Sequence, residues 1–346
     1  QPQDRARHWV LSTFACLLAA ADAVGCHRTG VRLRRSYYLF RSPAKALATY
    51  PLDEIRSVVA GFSEGPPPRG LAREGTFNYC FSYLAPVVNM RRYLSWLTEA
   101  VGSLPGTRCR SLALDDLASV ASLAQSEGAS LVVNCLGLGA RGVFGDRAMF
   151  GVRGDLVYVL APGAEERYNI GQVTDEDDPD GELTYVVAQG GGIMALAGTS
   201  ERVAEGREES GYRPRLDTAT AEEVDRRILA RNLKSLPGAF RAQGAAPGQA
   251  GPVVVGRWSG LRPQREGGVR LELEELTVTG AGEGGEVLLL RVVHNYGHGG
   301  SGVVTSWGCA ADVAALAGRA PELTRLGLWP RELPGDLAPL SAAAVA

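Results

Sequence analysis

Apolar residues recur at helical spacing over 12–24, through Phe14, Leu17, Leu18 and Ala21, and again over 92–101, through Tyr93, Leu94, Trp96 and Leu97. Both stretches are expected to be helices. Leu131-Val132-Val133 is a short, uniformly apolar run of the kind that forms a buried parallel strand, and 156–160 is a second candidate. Val269, Leu271 and Leu273 alternate with Arg270, Glu272 and Glu274, the period of a half-buried strand. A further apolar strand, 287–293, runs into glycines and then into a segment where Val304, Trp307, Ala311, Ala314 and Ala315 share a helical face, with Gly318 and Pro321 as a stop. The glycine- and proline-rich 61–75 reads as a loop. The acidic run 175–182 reads as an exposed loop, because it cannot bury itself. Strands and helices alternate along the whole length without a repeat of fixed period, so a mixed α/β fold is expected.

Composition narrows the function classes. At 346 residues, with 45% hydrophobic and 21% charged, the chain can bury a large core and is expected to form two domains. The net charge of -2 offers no electrostatic footprint for nucleic acid, and no apolar run is long enough to span a bilayer as a helix. The six cysteines lie far apart with no CxxC pair, which suggests neither a zinc site nor a disulfide framework and suits a reducing compartment.

Three glycine clusters are candidates for chemistry. Gly137-Leu138-Gly139-Ala140-Arg141-Gly142 follows an apolar strand and formally matches GxGxxG, but Gly145, Gly151 and Gly154 interrupt any helix after it. Each would cost about 1 kcal/mol in a helix interior, so a glycine turn lying over a cofactor bound elsewhere fits better than a dinucleotide fingerprint. Gly190-Gly191-Gly192 sits among strand-like residues and reads as a hairpin or loop. The stretch His294 to Gly302 has the better context: strand, four glycines, then a helix whose free amides would favour negative charge or a carbonyl oxygen. His294 and His298 are spaced as HxxxH, yet no helix holds them across Gly297, and no metal site is expected. Arg262, held stiffly between Leu261 and Pro263, has the fork geometry for a carboxylate; a surface ion pair is the alternative for this residue alone.

Taken together, VVNCLGLGA (132–140), VRGDLV (152–157), GELTYVV (181–187), GLRPQREGGVRLE (260–272) and VVHNYGHGGSGVVTSWGCA (292–310) resemble the D-amino-acid oxidase and D-aspartate oxidase family of flavoproteins. Weaker similarity over 8–18 and 93–99 extends the resemblance to most of the chain. It implies an FAD-binding, Rossmann-like domain (93–155 and 262–346, incomplete) interleaved with a substrate domain on a large mixed sheet (1–92 and 156–261). It also implies FAD-dependent oxidative deamination, with a D-amino acid and dioxygen as partners, hydrogen peroxide as product and possible homodimers. By family position, Arg262, Tyr185 and Gly300 would bind substrate. Cys135, Leu136, Gly137, Arg153, Gly297, Gly299, Gly300, Ser301, Gly302, Val303 and Val304 would line FAD. A peroxisomal or cytoplasmic location follows from the family, although the C-terminal SAAAVA is not a peroxisomal address.

The chain also departs from the pattern. No strand-GxGxxG-helix unit precedes Gln1, so the sequence reads as a member truncated by at least roughly 30 residues. Val304 stands where the family has a threonine, and Gly181 where a second tyrosine is common. The blocks around Tyr185 and Arg262 look closer to D-aspartate oxidase, whereas the acidic run would repel an acidic substrate, and only Arg202 lies near a position for a second carboxylate. Neutral D-amino acids are therefore the expected substrates, with acidic ones as the alternative. A non-catalytic relative is the alternative from another class.

Overall fold

The structure is a computed structural model and describes residues 2–179, 181, 183–203, 218–241, 252–279 and 287–318. Its strands, in chain order, are β1 (Val31–Phe40), β2 (Ser63–Gly65), β3 (Tyr79–Val88), β4 (Val132–Asn134), β5 (Met149–Leu160) and β6 (Ile170–Asp175), followed by β7 (Thr184–Gly190), β8 (Ile193–Ala197), β9 (Glu201–Arg202), β10 (Val253–Arg265), β11 (Arg270–Thr279) and β12 (Val287–Tyr296). The helices are α1 (Pro2–Val24), α2 (Cys26–Thr29), α3 (Pro43–Thr49), α4 (Leu52–Val58) and α5 (Met90–Gly102), then α6 (Leu117–Ser126), α7 (Ala140–Val143), α8 (Ala164–Arg167), α9 (Thr218–Ser235) and α10 (Gly302–Leu316). None is long and apolar enough to cross a membrane among the described residues.

Nine strands form one mixed sheet in the order β10-β5-β8-β7-β6-β1-β3-β2, with β9 beside β5; β11-β12-β4 form a second, smaller sheet. The large sheet is antiparallel except where β1 meets β6, and its core gathers Leu39, Val157, Val173, Val186, Met194 and Leu196 under α9. β7 and β8 join through Gly190, Gly191 and Gly192, all with positive φ, which makes the glycine triplet the tight hairpin its neighbours suggested. The small sheet packs on α6 through Val120, Ala121, Ala124, Leu290 and Val292.

Several expectations are corrected. β4 is parallel to β12, as read from its composition, but Val133 is 46% exposed, because among the described residues β4 has a strand neighbour on one side only. The strand at 156–160 is part of β5, antiparallel to both β8 and β10. The loop over 61–75 contains β2 and a fully buried Leu71. The acidic run is only partly a loop: Asp175 ends β6, is buried, and accepts two bonds from Arg41 at 2.7 and 2.9 Å, while Glu176 accepts from the Tyr50 hydroxyl at 2.8 Å. Asp180 and Glu182 lie outside the described residues. On α10 the buried residues are Thr305, Gly308, Cys309, Ala311, Asp312 and Ala315, so Ala311 and Ala315 of the expected face are buried, whereas Val304 is 50% exposed. The reason is α1: a β-carbon on Gly308 would lie 2.3 Å from the Trp9 Cα, and Trp9 donates to Asp312 at 2.8 Å. Close backbone approach at Gly308 adds to the packing of Ala311 and Ala315 in orienting this helix. The helix ends at Leu316 before Gly318, and Pro321 lies outside the described residues.

Candidate cofactor and substrate site

Two glycine turns converge on one end of β10. After β12 the chain turns through Gly297, with φ of 86°, into a 3-10 turn at Gly299–Ser301 and then into α10. A β-carbon on Gly297 would stand 2.7 Å from Cβ of Arg265, so the close approach requires glycine. After β4, Gly137 adopts a φ of 57° and opens a 3-10 turn that leads into α7 for a single turn. A β-carbon there would lie 3.4 Å from Cβ of Pro263. The break after Gly142 follows from Gly145, as the sequence indicated. Cys135 and Leu136, between β4 and this turn, are exposed.

The start of α10 has no side-chain cap: Ser301 stands at the cap position and makes no capping hydrogen bond. The first amides of a helix lack carbonyl partners within it and carry its positive end, so Gly302, Val303 and Val304 present a site suited to an electron-rich acceptor. Gly300, Ser301 and Val304 are exposed there.

Arg262 borders this turn at Gly300. A β-carbon on Gly300 would be 3.7 Å from its Cδ, and one on Gly154 would be 2.3 Å from its Nη1. The guanidinium therefore lies over Gly154. It donates only to the carbonyls of Arg153, at 3.4 Å, and Thr199, at 3.5 Å, both at the long limit, and no carboxylate pairs with it among the described residues. Its neighbours differ: Arg265 donates to Asp146 at 2.8 Å, and Arg270 donates to Glu272 and Glu274. Arg153 contributes its carbonyl to Arg262, and its side chain reaches the Ser259 hydroxyl at 3.4 Å.

Sheet register carries the site from Arg262 to Tyr185. Side chains alternate across a sheet, so Gly154, Leu156 and Tyr158 of β5 share one face. Leu156 pairs with Ala197, which pairs with Tyr185. Beside this row lies a cavity of about 490 Å³ between the sheet, α1 and the start of α10, and Tyr185, Val303 and Val304 all line it. Sequence reading missed its other polar walls: Tyr38, Tyr83, Tyr158, Gln172 and Gln189. The alternation of Ser36 with Tyr38 was visible in the chain, but nothing local says which face meets a cavity. The Tyr38 and Tyr83 hydroxyls are 2.9 Å apart, and burial raises the pKa of both, Tyr38 especially, so both stay protonated. No lining residue is charged among the described residues.

A family model described as DAO, FAD dependent oxidoreductase, matches residues 3–316. The chain belongs to this family of FAD-dependent oxidoreductases. The flavin oxidoreductase is 38% identical to a D-amino-acid oxidase of Rubrobacter xylanophilus, over 92% of this chain and 81% of that protein. It is 37% identical to a D-amino-acid oxidase of Streptomyces coelicolor, over 67% of this chain and 58% of that one, and 28% identical to the human D-aspartate oxidase, over 90% and 76%. A glycine oxidase from Bacillus cereus superposes with a TM-score of 0.56 at 13% identity, covering 90% of this chain and 82% of its own, which shows a shared fold. The residues fit FAD: glycine turns with left-handed backbone at Gly137, Gly297 and Gly299, an uncapped helix start, and a cavity lined by Val303 and Val304.

Proposed function

We propose that the enzyme oxidises neutral D-amino acids to 2-oxo acids, with release of ammonia and hydrogen peroxide. The observation that carries this reading is a cavity with no charged residue in its described lining, on the same sheet face as a guanidinium that has no counter-ion among the described residues. One cation serves the α-carboxylate, and the cavity offers only apolar and neutral polar contacts to the side chain. Arg262 binds that carboxylate as a charge-assisted pair, Tyr185 adds its hydroxyl, and the Gly300 backbone borders the substrate. Cys135, Leu136, Gly137, Arg153, Gly297, Gly299, Gly300, Ser301, Gly302, Val303 and Val304 hold the flavin. When bound, FAD supplies the two-electron sink that takes hydride from the substrate Cα and delivers the electrons to dioxygen. The protein contributes orientation and water exclusion, and its buried tyrosines, held protonated, do not act as bases.

An acidic substrate needs a second cation, and the arginines closest to the cavity strands are committed elsewhere. Arg41 is held by Asp175, Arg32 and Arg34 by Glu165, and Arg35 donates to the Gly61 carbonyl and Ser82. Arg202 lies over the Phe150 ring and pairs with Glu266. Under this reading the large sheet is the substrate side and the small sheet the cofactor side, with β5 and β10 reaching across both. The bacterial sources of two relatives favour the cytoplasm over the peroxisome. The test is turnover of D-alanine, D-phenylalanine and D-aspartate by the FAD-loaded protein, followed as peroxide. A preference for the neutral pair is expected; a marked preference for D-aspartate overturns the reading, and absence of turnover with retained flavin makes the chain a non-catalytic relative.

A further inference from the structure

His294 is fully buried, and its ring is tied on both sides. Nε2 lies 2.8 Å from Oε2 of Glu274, and Nδ1 lies 3.1 Å from Nδ2 of Asn134. Asn134 in turn accepts the backbone N–H of Leu136 through Oδ1 at 3.1 Å. Only one arrangement of protons satisfies all three contacts. A carboxylate can only accept, so Nε2 carries the proton, and Nδ1 is the acceptor for the Asn134 amide. The Asn134 oxygen is then free to hold Leu136. Phe144 and Tyr296 close on the ring edge-on, at 5.3 and 5.7 Å, and fix its plane.

We propose that His294 and Asn134 are positioning residues for the flavin turn, a hydrogen-bond relay that holds the backbone at 135–137 in place only while His294 is neutral. A protonated imidazole donates from both nitrogens. Asn134 would have to turn its oxygen toward Nδ1, and its NH2 would then face the Leu136 N–H, donor against donor. The turn would lose its anchor. Burial lowers the His294 pKa and keeps the ring neutral near pH 7, with Glu274 opposing that shift. The charged groups facing the ring from neighbouring elements are Glu272, Glu274 and Arg270 of β11; Asp146 and Arg265 lie beyond Tyr296, and β4 presents only Asn134.

The inference rests on the placement of flavin at 135–137 proposed above, so the experiment reads the relay with and without FAD. Without FAD, the ¹⁵N shifts of His294 and the exchange rate of the Leu136 amide are followed from about pH 8 to about pH 5. The expected result is one tautomer, protonated at Nε2, and loss of Leu136 protection as the ring protonates; unchanged protection overturns the relay. With FAD, affinity is expected to fall about tenfold over the same range. His294→Asn keeps an oxygen near the place of Nδ1 and titrates nothing, so it should bind FAD with little dependence on pH. His294→Gln keeps a donor to Glu274 but offers Asn134 no acceptor, and should bind weakly at every pH. A purely structural histidine would leave the two variants alike, and that result overturns the proposal. Leu136 opening with constant FAD affinity supports the relay and overturns the placement of flavin on this turn.

Discussion

Two regions of the nine-stranded sheet hold arginines differently. Near β1 and β6, Arg32 and Arg34 share the buried carboxylate of Glu165, and Arg41 grips Asp175 with both terminal nitrogens. At the β5–β10 end, Arg265 is paired with Asp146, but Arg262 lies over Gly154 with two long bonds to backbone carbonyls and no carboxylate among the described residues. A partly buried charge without a counter-ion costs folding free energy, while a paired one is compensated. The first region is therefore compensated within the fold, whereas in the proposed function a substrate carboxylate would be the partner of Arg262.

Substitutions separate the two roles. The largest effect is expected from Glu165→Gln, which strands two guanidinium groups and should lower unfolding free energy by about 3 kcal/mol in denaturant titrations, with kcat/KM of the folded fraction unchanged. Arg262→Met should do the reverse. It should lower kcat/KM by roughly 10- to 100-fold, the loss of a charge-assisted bond worth about 1.5 to 3 kcal/mol, with the melting temperature equal to the parent's or higher. A Glu165→Gln effect confined to turnover, or an Arg262→Met effect confined to stability, would break the comparison.

A simple monocarboxylate sharpens it further. At about 100 times its Kd, acetate should add about 2.7 kcal/mol to the stability of the parent and nothing to that of Arg262→Met. Acid gives a smaller effect at Asp146, beside the site. Burial works against its ionised form, but hydrogen bonds from Arg265, Tyr296 and the Ala148 amide hold its pKa below the usual aspartate range. A depressed folded pKa stabilises the fold above the unfolded value, about 3.9, and that stability is lost as pH falls through the folded value. Asp146→Asn should therefore flatten the acid limb of the stability curve below about pH 4. The smallest effect is expected from Val133→Thr on the exposed side of β4, within about 0.5 kcal/mol.

Much of this was legible in the chain. The helices at 12–24 and 92–101, the hairpin at Gly190–Gly192 and the strand-turn-helix around 287–316 follow from local periodicity and glycine geometry, which act over a few residues. Other features were not. Asp175 looks like part of a solvated acidic loop because its partner Arg41 is 134 positions away. The apolar stripe on α10 found Ala311 and Ala315 but not the rest of the buried face, because Gly308, which a hydrophobicity pattern ignores, admits the α1 backbone, and Val304 stays exposed. The cavity tyrosines come from β1, β3, β5 and β7, and no spacing along the sequence shows that these strands share a face.

By itself, the sequence determined the family and the mixed α/β class. Motif spacing and backbone chemistry are properties of short segments. The tertiary structure alone decided how Arg262 and Arg41 are matched among the described residues: they are the same residue type, and only long-range strand register puts an aspartate against one and a glycine under the other. It also decided the single proton arrangement of His294, because the acceptor and the donor that define it come from strands 20 and 160 positions away.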